Sequence, residues 1–152
     1  MRVLAIDPGL MTGMSCFEFT RGQEPVLQWS AEVEEDAFIS PIRFEFNSTP
    51  SLQIVCERFV ITTETAKKAQ APYSLELIGA LKQELRDRGH DPKNKAVLPF
   101  QAPRDAMAMF PNAALKKLGY WHKGGAGHAN DSIRHGLLYL TRNGWVPSRL
   151  LD

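Results

Sequence analysis

The sequence has little cysteine, no long apolar run and no excess of charge of either sign. Its two cysteines, Cys16 and Cys56, do not form a Cys-x-x-Cys pair, which excludes a disulfide scaffold and a cysteine-built zinc site. Both are expected to be free thiols in a reducing compartment. No apolar stretch approaches the ~20 residues a membrane helix needs, and Met1–Pro8 lacks the layout of a secretory leader. A soluble, cytoplasmic protein with no membrane partner is expected. Eighteen Lys and Arg against 17 Asp and Glu leave a net charge of +1, which by itself favours no class of partner. With 43% hydrophobic and 23% charged residues, neither a disordered tail nor a fibrous repeat is compatible. The 152 residues suit one domain spanning 1–152.

The near-neutral total conceals a division along the chain. Residues 1–66 carry ten acidic side chains against four basic ones, whereas residues 67–100 carry four against seven and residues 101–152 three against seven. An acidic half beside a basic half suits carboxylates that bind cations next to a surface that binds anions. A chance distribution of solvated charge is the competing reading.

Arg2–Ile6 is an apolar run closed by Asp7-Pro8-Gly9, the pattern of a buried strand and turn. Met14–Thr20 and Val26–Val33, parted by Arg21-Gly22-Gln23-Glu24-Pro25, continue it as an antiparallel meander. Glu34–Phe46 suits a helix interrupted at Pro41, and Leu52–Ile61 suits a fourth strand with Glu57 inside it. Ser74–Arg88 has a helical stripe of Leu75, Ile78, Leu81 and Leu85, with Gly89 at the C-cap. A strand at Ala96–Phe100, short helices at Pro103–Phe110 and Asn112–Leu118, and a last helix at Ala129–Arg142 complete an α/β domain with a mixed sheet.

Asp7 closes a strand, and Glu57 sits among apolar neighbours in Ile54-Val55-Cys56-Glu57-Arg58-Phe59-Val60. A carboxylate left alone in such a setting is costly. Two explanations stand: an ion pair, for Glu57 with Arg58 or another base, or a divalent cation shared by several carboxylates. His128-Ala129-Asn130-Asp131 opens the last helix, and its i and i+3 positions put His128 and Asp131 on one face. Either residue also suits an N-cap. His135 shares that face and is read as a surface or supporting group. Three carboxylates and an imidazole form an inventory for Mg²⁺ or Mn²⁺ rather than zinc.

Asp7-Pro8-Gly9-Leu10-Met11-Thr12-Gly13, Glu57-Arg58-Phe59-Val60 and His128-Ala129-Asn130-Asp131-Ser132-Ile133 resemble, in order and spacing, the three signature segments of the RuvC-type Holliday-junction resolvases. These crossover junction endodeoxyribonucleases belong to the RNase H-like superfamily. The resemblance spans nearly the whole chain. It implies an RNase H-like five-stranded mixed sheet flanked by helices, with the first and fourth strands adjacent and parallel. It implies that Asp7, Glu57 and Asp131 are catalytic metal ligands, with His128 in a position that many members give to aspartate and others to histidine. A neutral imidazole there removes one negative charge and favours Mn²⁺ over Mg²⁺; with an ordinary pKa of ~6.5 it also suits proton transfer. The implied activity is hydrolysis of phosphodiesters in Holliday junctions and related branched DNA, by two ions about 3.5–4 Å apart and without a covalent enzyme intermediate.

On the substrate side, Lys67 and Lys68 follow the Glu57 strand, while Arg104, Lys116, Lys117 and Lys123 precede the last helix. All six are candidates for DNA phosphates, although a solvated surface accounts for any one of them. Phe59 is a candidate for meeting unstacked bases, with a core position as the alternative. Tyr120–Gly127 suits a connector between helices more than a segment that closes on DNA. A four-way junction has two-fold symmetry and needs two cuts, which implies a homodimer; Ser74–Arg88 is the counterpart of the family's dimer helix. Competing readings are an RNase H-like nuclease acting on flaps, forks or RNA–DNA hybrids, and a non-catalytic branched-DNA-binding module. A strand ending in Asp-x-Gly also opens the actin and sugar-kinase type ATPases, but those need a second domain, so no nucleotide cofactor is expected.

Overall fold

In a computed structural model, which describes residues 1–64 and 71–151, the chain builds a five-stranded sheet of order β3-β2-β1-β4-β5. Strands β1 (Arg2–Asp7), β2 (Met11–Glu18) and β3 (Val26–Glu34) form the antiparallel meander. Strand β4 (Leu52–Glu57) lies parallel to β1, and β5 (Phe100–Gln101) lies parallel to β4. This is the mixed sheet the sequence implies.

Period-2 alternation gives the central strands β1, β2 and β4 two buried faces, whereas β3 at the edge is at most half-buried. Val3, Ala5, Phe17 and Val55 face one side, where they pack with Ile133, Leu137 and Leu140 of helix α5 (His128–Arg142) and with Ala106, Phe110, Leu115 and Leu118. Ala106 lies on the short helix α3 (Pro103–Met109), Phe110 directly follows it, and Leu115 and Leu118 lie on α4 (Asn112–Leu118). Leu4, Ile6, Met14, Cys16, Ile54 and Cys56 face the other side, against Phe38 and helices α1 (Ile39–Ser48) and α2 (Ala71–Asp87). Both cysteines are free and buried. Helix α6 (Ser148–Leu151) ends the described chain.

Several boundaries differ from the sequence reading. The fourth strand stops at Glu57 instead of running to Ile61, so Glu57 ends the strand; Val60 and Ile61 are exposed. The fifth strand is only Phe100–Gln101, because residues 94–98 turn back on themselves through Asn94, whose carbonyl accepts from Val97 and Leu98. Pro41 does not interrupt α1. It is the third residue of that helix, in the first turn, where the missing N–H has no intrahelical partner to lose. A 3₁₀ turn at Glu35–Ala37 takes the start of the expected helix. In α2, Ile78, Leu81 and Leu85 are buried together with Leu77, while Leu75 is exposed. Gly89 ends α2 at φ +79° as expected.

Candidate active site

The register of β1 on β4 pairs Ile6 with Cys56, so the next residues, Asp7 and Glu57, leave the sheet as neighbours. By alternation both share the face of Val3, Ala5 and Val55, the face that α5 covers. The first turns of α5 bring His128, Asp131 and His135 over the same strand ends. Asp7, Glu57, His128, Asp131 and His135 line one cleft of about 420 Å³, with Arg104, Met107 and Arg134 on its α3 side.

Three of the four expected ligands are assembled. One donor atom each from Asp7, His128 and Asp131 lies within 4.8 Å of the others. His128 Nδ1 is 3.2 Å from Asp7 Oδ2. Asp131 accepts from the Arg134 guanidinium, which is 4% exposed and also donates to the Phe110 carbonyl and Asn112 Oδ1. Glu57 lines the same cleft but does not pair with Arg58. Its Oε2 is 2.8 Å from His135 Nε2.

The other buried acids behave differently. Among the described residues, Asp7, Glu45 and Glu84 are the buried carboxylates. Glu45 is paired with Arg2 and accepts from Trp29 Nε1, and Glu84 is paired with Arg43 and Arg88. Those are structural ion pairs. Asp7 is paired instead with a histidine. Burial raises its carboxyl above the ordinary value; the His128 hydrogen bond opposes that rise and the Glu57 charge adds to it. The same hydrogen bond is the main reason His128 is raised. Burial and then the Asp7 charge raise Asp131, against the pull of Arg134. Three clustered groups are thus pushed toward protonation, the two carboxyls chiefly by burial and the imidazole by its bond to Asp7. Carboxylate oxygens with one imidazole nitrogen, so arranged, fit a divalent cation.

Neither His128 nor Asp131 serves as the N-cap. Gly127 occupies that position at φ +104° with no side-chain cap. The orphan N–H groups are taken by Glu32 on β3, whose carboxylate accepts from Ala126 at 2.9 Å, Gly127 at 2.8 Å and Ala129 at 3.4 Å. Burial pushes Glu32 up, but these backbone amides together hold it below its ordinary value. Buried Asn130 grips the other end of the preceding loop, accepting from His122 N and donating to His122 O. Residues 122–127 therefore form a connector pinned at both ends.

Arg104 stands at the rim of the cleft, exposed. Lys116 and Lys117 are exposed on α4, with Lys116 Nζ 4.9 Å from the Trp121 ring centre, and Lys123 is exposed in the loop before α5. None of these three lysines lines the cleft. Phe59 is half-buried against the core of the α1/α2 side. Lys67 and Lys68 lie outside the described residues. Sequence reasoning missed Glu32, Gln101 and Arg134. No local pattern marks the first two, whose partners lie 94 and 34 residues away; Arg134 had a signal in its i+3 spacing from Asp131.

No family model matches the chain, and no curated protein matches it in sequence. Solved structures do match. Thermus thermophilus RuvC in complex with a Holliday junction substrate superposes with a TM-score of 0.67 over 95% of this chain and 97% of that one, at 13% identity. A second structure of Thermus thermophilus RuvC gives a TM-score of 0.65 over 95% of this chain and 98% of that one, also at 13% identity. The five-stranded mixed sheet flanked by helices is thus the RNase H-like fold of RuvC, over essentially the whole of both chains. Among the described residues, no helix is long and apolar enough to cross a membrane.

Proposed function

We propose that the chain is a divalent-metal-dependent endonuclease that cuts Holliday junctions and related branched DNA. The observation that carries this reading is the convergence of Asp7, His128 and Asp131 within 4.8 Å, with Glu57 in the same cleft, at the ends of two parallel strands. It is supported by the likeness in fold to a protein solved on a Holliday junction.

Asp7, Glu57, His128 and Asp131 hold Mg²⁺ or Mn²⁺, two ions per site. Cations bound there supply Lewis acidity at a phosphodiester and lower the pKa of an attacking water. Asp7 is central because its carboxylate lies between the helical ligands and the Glu57 strand. Arg134 restrains Asp131, and Arg104 at the rim is placed to meet a phosphate entering the cleft. Lys116, Lys117 and Lys123, outside the cleft, add a sequence-independent attraction for the flanking duplex. A homodimer would supply the two symmetric cuts that a four-way junction requires, and Leu75, exposed on α2, suits a surface for the second copy.

The test is incubation of synthetic four-way junctions, forks, linear duplexes and RNA–DNA hybrids with Mg²⁺ or Mn²⁺. Paired cuts in the junction that vanish in Asp7→Asn are expected. Preferential cutting of forks or hybrids would move the substrate assignment within the same fold, and junction binding without cutting by any metal would leave a DNA-binding module. Sedimentation with and without junction DNA reads the dimer.

A further inference from the structure

Glu57 is the one expected ligand outside the group of donor atoms that Asp7, His128 and Asp131 bring together, and its carboxylate meets a protein partner. That partner, His135, is 1% exposed and lies on α5 seven residues after His128. The register of β4 on β5 sets Gln101 beside Glu57, so Gln101 reaches the same imidazole from the neighbouring strand. Its amide satisfies its surroundings in one orientation: the NH₂ donates to His135 Nδ1 at 3.0 Å and to the His135 carbonyl at 2.9 Å, and the oxygen accepts from Tyr139 N at 3.2 Å. A donor on Nδ1 makes that nitrogen the acceptor and leaves the ring proton on Nε2. Nε2 then donates to Glu57 Oε2 at 2.8 Å.

We propose that His135 is a positioning residue for Glu57, held by Gln101 in the tautomer that donates from Nε2, so that Oε2 is restrained and Oε1 is the donor available to a cation. This rests on the reading of the cleft as a metal centre. One rigid helix then sets three of the four ligands, His128 and Asp131 directly and Glu57 through His135. A two-residue β5 suffices, because its task at this end of the sheet is to deliver Gln101. Hydrogen-bond partners that orient metal ligands typically control affinity by roughly 10–100-fold.

The experiment measures Mn²⁺ binding to the full chain without DNA, by titration calorimetry and by the electron paramagnetic resonance of free Mn²⁺. His135→Leu is expected to weaken Mn²⁺ binding roughly 10–100-fold. His135→Gln, which keeps a donor, should restore part of it, and Gln101→Met should weaken it in the same direction. In a Glu57→Gln background, His135→Leu should have little further effect. The proposal is overturned if His135→Leu melts like the wild type and binds Mn²⁺ equally well, or if its loss is the same with and without Glu57. Should His135→Leu fail to fold, Gln101→Met with and without Glu57→Gln decides on the same criteria. Mn²⁺ binding that depends on Glu57 and His135 in a protein that cuts no branched DNA supports the positioning role and removes the nuclease reading. A wild type that binds no Mn²⁺ overturns both.

Discussion

A Cβ added to Gly13 would lie 1.8 Å from the carbonyl oxygen of His128 and 2.2 Å from its carbonyl carbon. Strand β2 and the first residue of α5 therefore meet backbone to backbone, and this approach brings His128 and Asp131 down onto Asp7, which Gly13 faces across β1 and β2. Gly136 repeats the contact two turns later, where a Cβ would stand 2.6 Å from the Phe17 ring. The atoms that crowd a Cβ at Gly13, the His128 carbonyl and Ala129 N, are all backbone, so no rotamer change relieves them. Gly13→Ala is expected to cost about 1–3 kcal/mol of stability, the usual range for overpacking, and to reduce metal binding by lifting His128. Thermal denaturation together with Mn²⁺ titration checks it; a variant with unchanged melting would remove the close contact.

Asp7→Asn is expected to depress cleavage by more than the roughly 10–100-fold that an outer partner of a metal ligand costs. It should also stabilise the metal-free protein at neutral pH. The folded pKa of Asp7 is raised, so the stability linked to it is full below its ordinary value of 3.8 and is lost as pH rises through the higher folded value. Asn removes that loss. Melting curves in a chelator between pH 4 and 8 (values on the order of the titration window) should be flatter for the variant, and a lower melting temperature at neutral pH would count against it.

His128→Asp is expected to keep cleavage and to shift metal use toward Mg²⁺, because a hard carboxylate replaces a borderline nitrogen. The added negative charge should destabilise the metal-free protein. Cleavage rates measured across Mg²⁺ and Mn²⁺ concentrations decide; complete loss with both metals would exclude a ligand position for residue 128.

Glu32 has the opposite pH sign. Its pKa is lower in the fold than its ordinary 4.5, so the restraint it exerts on residues 126–129 is full above that value and is lost as pH falls through the folded one. Glu32→Gln should lose the charge-assisted part of this restraint and flatten the acid limb of stability. Amide hydrogen exchange at Ala126, Gly127 and Ala129 should quicken in the variant, and unchanged exchange would show that the loop holds itself.

Alanine at Lys116, Lys117 or Lys123 is expected to weaken binding uniformly across DNA sequences and to reduce the salt slope by about one per lost phosphate contact. Arg104→Ala should lower cleavage as well, since it stands at the cleft itself. Binding titrated against salt concentration separates the two classes.

Much of the site was legible because its residues are local exceptions to local rules. Asp7 and Glu57 are acids at the ends of buried strands, and His128 and Asp131 share one helical face, so each stands out within a few residues of sequence. The full extent of α2 and the exposure of Leu75 were not legible, since a helical stripe shows which residues share a face and not which neighbour covers it. The end of β4 was misread for a related reason. Val60 and Ile61 have strand-forming side chains, yet the β5 register ends where Glu57 pairs with Gln101, and its last backbone bond is from Arg58 N to Gln101 O.

What the sequence by itself determined is the inventory: three carboxylates and an imidazole at strand and helix ends, in an α/β order with no cysteine ligands and no excess charge. Hydrophobic periodicity and the cost of isolated acids act over a few residues, so they can be read in one dimension. Only the tertiary structure decided how each acid is held. Glu45 and Glu84 face arginines, Asp7 faces His128, Glu57 is restrained by His135 under Gln101, and Glu32 caps a helix far along the chain. Those partners come together through the β1–β4 and β4–β5 register and the close approach at Gly13, contacts between distant segments that no local pattern specifies.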